Sequence, residues 1–159
     1  MNDPRSEPLF KIQKDMQEKL IQMNSVDLDK VNYVAGADLT CKDNLFIGCF
    51  VVVDFKNKMK VIYSKCTEMK VDIPYIAGLL CFREGPVVTA LYREFHQIHP
   101  EIKIDIILVD GSGEWHIRGF GLACYVGIEL GIPTIGVFKQ FLFVGSEHTR
   151  DSVHDEAQA

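Results

Sequence analysis

The run Ile104-Asp105-Ile106-Ile107-Leu108-Val109-Asp110, followed at once by Gly111-Ser112-Gly113, decides the fold class. Its apolar residues are continuous rather than alternating, the pattern of a strand buried on both faces of a sheet, and the glycines end it. Upstream, Glu84 to Gln97 reads as a helix with Val87, Val88, Leu91 and Phe95 along one side; downstream, Gly119 to Leu130 is a Gly/Ala-rich helix. Thr134 to Val137, after Pro133, is a second apolar strand. Helices alternating with apolar strands imply parallel pairing through crossovers.

Further toward the N-terminus the period changes. Val31 to Ala37 is a β-type run ending at Asp38, Leu45 to Phe55 a longer one, and Met59 to Cys66 a third. The short polar connections Cys41 to Asn44 and Lys56 to Lys58 suit hairpin turns, so these runs predict an antiparallel meander. Ser6 to Met23 reads as an amphipathic helix, N-capped by Ser6, with Leu9, Ile12, Met16, Leu20 and Met23 on one side. The expectation is a single α/β domain over 1–159. Its mixed sheet has three antiparallel strands, then parallel strands with flanking helices, and the polar segment at about 145–159 is a disordered tail.

Composition removes several function classes. With 47% hydrophobic residues in 159, the chain can bury a core without staples. No apolar run nears the roughly 20 residues that span a bilayer. The N-terminus (MNDPRSEP) lacks the apolar core of a secretory signal, so an intracellular protein is expected. Five cysteines without a CxxC spacing are read as reduced thiols, neither a disulfide frame nor a zinc site. A net charge of −5 excludes coating nucleic acid by bulk electrostatics, leaving local contact through bound metal or the lysines at 56, 58, 60, 65 and 70.

Three acids stand out by position. Asp38 and Asp110 each end a strand; if those strands are parallel neighbours, both carboxylates emerge at the edge where α/β sheets carry their sites. Glu84, opening the helix after Phe82-Arg83, could lean over the same edge. Three such groups repel one another unless a cation holds them, and hard oxygen ligands at an open edge suit Mg²⁺ or Mn²⁺ and phosphodiester hydrolysis. Taken singly, each acid is as well explained as a turn, cap or helix-start residue. Gly111 and Gly113 either let a backbone approach a flat ligand or simply make a tight turn. His116 and Arg118 sit where they could reach phosphate. Pro74-Tyr75-Ile76-Ala77-Gly78 is either a wedge that stacks on bases or a loop packed on the core.

In this order the segments resemble the endonuclease V family. The matching pieces are Val34-Ala35-Gly36-Ala37-Asp38-Leu39, Pro74 to Leu80, Phe82-Arg83-Glu84, Leu108 to Gly113 with His116 to Ala123, and Gly136-Val137-Phe138-Lys139. The resemblance implies a ribonuclease H-like fold and a metal-dependent nuclease of nucleic-acid repair. It would recognise inosine or deoxyinosine and cut the second phosphodiester on the 3′ side. Carried over by motif, Asp38, Glu84 and Asp110 are the metal ligands for Mg²⁺, with Mn²⁺ as a substitute, and Lys139 stands near the scissile phosphate. Pro74, Tyr75 and Ile76 form the wedge; Gly78, Leu80, Gly111, Gly113 and Leu142 line the hypoxanthine pocket; His116 contacts the backbone beside the lesion. The wording from Arg118 to Cys124 is nearer to animal members, which favour inosine in RNA. That implies single-stranded RNA before DNA as partner, and the cytoplasm or nucleus as location. Tyr125, Phe138 and Ile117 depart from the pattern. Relatives continue through a further helix whose His and acid support the metal site, and His148, Asp151, His154 and Asp155 are not expected to replace them. The alternative function is therefore an inosine-binding module with weak or no catalysis.

Overall fold

The computed structural model of the chain describes Pro4, residues 6–22 and residues 26–139. Its elements are α1 (Ser6–Gln17), β1 (Tyr33–Lys42), β2 (Leu45–Asp54), β3 (Lys60–Lys70), α2 (Leu80–Ile98), β4 (Ile106–Asp110), α3 (Leu122–Leu130) and β5 (Thr134–Val137). They form a five-stranded sheet of order β3-β2-β1-β4-β5. The first three strands pair antiparallel, and β4 then pairs parallel to β1 and to β5. The predicted α/β mixed sheet is therefore the observed one. Among the described residues no helix is long and apolar enough to cross a membrane.

Alternation along the strands gives the sheet two unlike faces. Ala35, Ala37, Phe46, Phe50, Val52, Ile107 and Val109 point to one side and pack with Val87, Val88, Leu91 and Phe95 of α2 in the main core. Phe50 lies 6.0 Å from the Phe95 ring and 6.5 Å from that of Tyr92. Gly48 keeps this face low, since a Cβ there would stand 2.9 Å from Val87 and 3.0 Å from Leu91. The opposite face carries Gly36, Asp38, Cys49, Val51, Leu108 and Asp110, and Leu108 remains 36% exposed. So the second face of β4 is covered only in part: Ile106 is buried with Val31 and Val34, whereas Leu108 stays open.

Several boundaries move. β1 runs on to Lys42 because its pairing with β2 continues to the hairpin turn, so Asp38 lies inside the strand. What ends at this level is the pairing with β4, whose last register pair is Ala37↔Val109. α2 begins at Leu80, not Glu84, because burying Cys81 and Phe82 extends the helix back by a turn. Glu84 thus projects from the helix interior. β3 extends to Lys70 along its partner β2. α1 ends at Gln17, and the buried stripe keeps Leu9, Met16 and Leu20 as predicted but takes Gln13 in place of Ile12. Ser6, Gln13 and Met16 are buried with Leu9 and Leu20 packed beside them, while Ile12 is 45% exposed. Met23 and the segment 145–159 lie outside the described residues.

The cysteine reading is corrected. Cys49 and Cys66 stand directly opposite in the β2–β3 register, with Cα atoms 4.0 Å apart, and are joined by a disulfide. Their separation of 17 residues carries no CxxC-like signal, and only strand register brings them together. Cys41, Cys81 and Cys124 are free thiols.

Candidate active site

Asp38 and Asp110 follow the register pair Ala37↔Val109 on adjacent parallel strands, and both alternate onto the face away from the helices. Their carboxyls lie within electrostatic reach of each other. Burial first, and then the neighbouring Asp38 carboxyl, raise the Asp110 pKa, while Lys139 opposes the rise. Asp38 also accepts the Leu39 N–H at 2.8 Å. Beneath the pair lies a cavity of about 260 Å³ lined by Gly36, Cys49, Val51, Leu108 and Val137 as well as both acids.

Glu84, on α2, lies within electrostatic reach of both aspartates but does not line that cavity. Burial pushes its carboxyl up to about 7; Arg83 holds it down, and Asp110 and Asp38 raise it further. The three acids therefore feel one another across 26 to 72 residues of chain. Among the described residues, no three His, Cys, Asp or Glu side chains stand close enough to hold a metal ion as placed. The donor chemistry nonetheless fits a hard divalent cation: oxygen ligands only, crowded until protons must be retained, at a mouth open to solvent.

A pH dependence follows. A carboxyl raised from 4.5 to about 7 binds more protons in the folded than in the unfolded chain between those values. Stability is thus fully present below pH 4.5 and is lost as pH rises through 7. The side chain is partly solvated, which reduces the loss to about 1–2 kcal/mol. In EDTA the urea midpoint should fall from pH 5 to pH 8 more for the parent chain than for Glu84→Gln. Added Mg²⁺ should reverse the difference at pH 8. Equal pH slopes for parent and variant would refute the placement of Glu84 beside the two aspartates.

The remaining expected site residues divide. Lys139 is exposed and within electrostatic reach of Asp110. Tyr75 is 68% exposed, whereas Ile76 packs against the core and Pro74 is half-buried. Leu80 is 38% exposed at the start of α2. Gly78 has φ +77°, and a Cβ on it would collide with the Arg118 guanidinium. Gly113 lines a cleft of about 1040 Å³ with Trp115, Cys124, Gly127 and Phe138, which Gly78, Leu80 and Gly111 do not line. His116 is 8% exposed; its Nδ1 accepts the Arg118 N–H at 3.2 Å, and burial, then Arg118, depresses its pKa. Leu142 and the tail acids and histidines lie outside the described residues.

Arg118 is not free for phosphate. Its Nε donates to Gln13 Oε1 at 2.6 Å, its Nη2 to the Gly78 carbonyl, and its guanidinium lies 4.6 Å from the Phe10 ring centroid. Nor do the lysines form one patch. Lys65 pairs with Glu94, and residues 56–60 follow Asp54, the partner of Tyr33 at the strand end remote from Lys42. Two residues escaped notice. Buried Arg83 donates to the Asp43 carbonyl and lies 5.0 Å from the Phe46 ring centroid, and its Nε has no partner among the described residues. Gln13 is a polar side chain on the helix's buried stripe; its spacing from Leu9, Met16 and Leu20 was the available signal.

Comparison with known proteins identifies the family. A family model described as Endonuclease V matches residues 14–158. The chain is 41% identical over 119 residues to the endonuclease V of the archaeon Desulfurococcus amylolyticus, covering 74% of this chain and 51% of that protein. It is 36% identical over 94 residues to human endonuclease V, covering 59% of this chain and 33% of that one. In three dimensions it superposes on Ciona intestinalis endonuclease V, solved with a 24mer DNA containing an inosine followed by a ribo-adenosine. The TM-score is 0.86 at 26% identity, covering 99% of this chain and 67% of that one. The chain thus spans about half the length of the archaeal relative.

Proposed function

The chain belongs to the endonuclease V family, and on that premise we propose that it is a metal-dependent endonuclease directed to inosine. It hydrolyses the second phosphodiester 3′ to the modified base, in single-stranded RNA first and in DNA second, within the cytoplasm or nucleus. The observation that carries this reading is the Asp38–Asp110 carboxyl pair where the parallel pairing of β1 with β4 ends, with Glu84 of α2 in electrostatic reach. Asp38, Glu84 and Asp110 would hold Mg²⁺, or Mn²⁺ in its place. When bound, such a cation lowers the pKa of a coordinated water and offsets charge on the leaving oxygen.

The chain's own groups supply the rest. Lys139 attracts the scissile phosphate toward Asp110. Tyr75 offers an exposed ring on which a base can stack once its neighbour leaves the helix, with Pro74 and Ile76 anchoring that ring at the surface. Gly78, Leu80, Gly111 and Gly113 would form the base pocket, the three glycines letting backbone groups approach the hypoxanthine ring. His116, neutral and buried, supports the strand beside the lesion.

The test uses end-labelled single-stranded oligonucleotides, RNA and DNA, carrying one inosine or a guanosine in its place, with Mg²⁺, Mn²⁺ or EDTA. The reading expects one product, ending one nucleotide beyond inosine, formed only with metal and faster from RNA. Binding that prefers inosine without cleavage at any metal concentration would convert it to a recognition module. Equal affinity for inosine and guanosine, without cleavage, would remove the function altogether.

A further inference from the structure

Gln13 is 1% exposed, and its amide is bonded to two segments remote in sequence. Nε2 donates to the Gly78 carbonyl at 3.1 Å and to the Phe120 carbonyl at 2.8 Å, while Oε1 accepts from Arg118 Nε at 2.6 Å. Packing alone does not call for an amide here, because the stripe it shares with Leu9, Met16 and Leu20 would accept leucine. A buried amide is tolerated only when its polar atoms are matched, as these are. The arrangement of two carbonyls and one N–H facing the side chain selects glutamine over glutamate, whose second oxygen would confront the two carbonyls.

These bonds tether one loop. Among the described residues, every hydrogen bond joining residues 72–78 to another part of the chain ends on the Gly78 carbonyl, and the donors are Gln13 and Arg118. Arg118 is itself oriented by Gln13 and rests on Phe10 of the same helix. The loop so held carries Tyr75, and the loop on the far side of Gln13 carries Gly111, Gly113 and His116.

We propose that Gln13 is a positioning residue for base recognition. By bridging Gly78 to Arg118 and Phe120, it sets the spacing between the Tyr75 loop and the 111–121 loop, and so the preference for inosine over guanosine. This inference rests on the inosine reading above. Gln13 touches none of Asp38, Glu84, Asp110 or Lys139, so its loss should act on substrate capture rather than on hydrolysis.

The experiment compares the parent chain with Gln13→Leu, which keeps the volume and removes all three bonds, and Gln13→Glu, which keeps only the Arg118 partner. Hydrogen exchange without nucleic acid should speed at least tenfold in residues 76–80 and stay unchanged in β2. Against inosine RNA, KM should rise at least tenfold with kcat within threefold, and the inosine-to-guanosine ratio of kcat/KM should fall at least tenfold. Unchanged exchange at 76–80 overturns the tether, and faster exchange with unchanged discrimination overturns its role in recognition. If both variants fail to fold, Gln13 is a stability residue and the proposal is wrong. A parent chain that does not prefer inosine would defeat the functional reading and, with it, the recognition half of this proposal, while the exchange result still decides the tether.

Discussion

Asp38→Asn and Asp110→Asn should each cut a single-inosine RNA about 10³-fold more slowly than the parent chain at saturating Mg²⁺, while folding at least as stably. The rate loss corresponds to about 4 kcal/mol of barrier, the scale of charge stabilisation a divalent cation provides. The stability expectation has the opposite sign because the two side chains crowd each other without metal. Burial first, and then the Asp38 carboxyl, work against ionisation of Asp110. Replacing either by an amide removes a charge from that contact and leaves a group that can still donate to its neighbour. Single-turnover cleavage and urea melts in EDTA, run on the same preparations, read both quantities. A variant that loses activity only because it is less stable would show a lowered urea midpoint. A variant with parental cleavage would dissolve the carboxylate site, since no other pair of acids among the described residues shares this register position.

Gly136→Ala should be strongly destabilising. Gly136 pairs with Val109 in the β4–β5 ladder. A Cβ there would stand 2.5 Å from the Gly111 carbonyl oxygen and 2.7 Å from the Gly113 nitrogen. Both are backbone atoms of the turn that leaves Asp110, so the turn rather than a flexible side chain must yield. Overpacking of this kind costs about 3 kcal/mol, or about 6–12 °C in Tm for a chain this size. Displacing the turn also moves Asp110 and the Gly111–Gly113 backbone, so cleavage should fall further than stability explains. Gly36→Ala is the matched control: it too lies in a strand, a Cβ there meets nothing within 4 Å, and stability should change by less than about 0.5 kcal/mol. Calorimetric Tm values within 2 °C of each other for the two variants would show that the turn is not packed against β5.

The sequence was most legible where a residue's neighbours along the chain are also its neighbours in space. β5 was predicted with its observed limits, and the meander of β1, β2 and β3 follows from short polar turns between β-rich runs. Asp38, Glu84 and Asp110 were singled out from strand-end and helix-start positions, yet two of those positions proved different. Asp38 sits mid-strand because β1 keeps a partner in β2 after losing β4, and Glu84 sits inside a helix that starts a turn early to bury Cys81 and Phe82. The reason these acids meet is the end of parallel pairing, a property of two strands rather than of either sequence.

Contacts that depend on register or on a third element left no local trace. Cys49 and Cys66 were read as separate thiols, because being opposite in a hairpin depends on a count of residues through the turn. Arg118 was read as a phosphate ligand, because a cation in a Gly-rich loop exposes no sign that a glutamine about 100 residues earlier has claimed it. The periodicity of hydrophobic and polar residues thus determined the order and type of the elements, since burial of one face acts locally along each segment. Only the tertiary structure decided which carboxylates face each other, which arginine is spoken for and which sheet face stays open. Those outcomes depend on side chains brought within hydrogen-bond reach from distant parts of the chain.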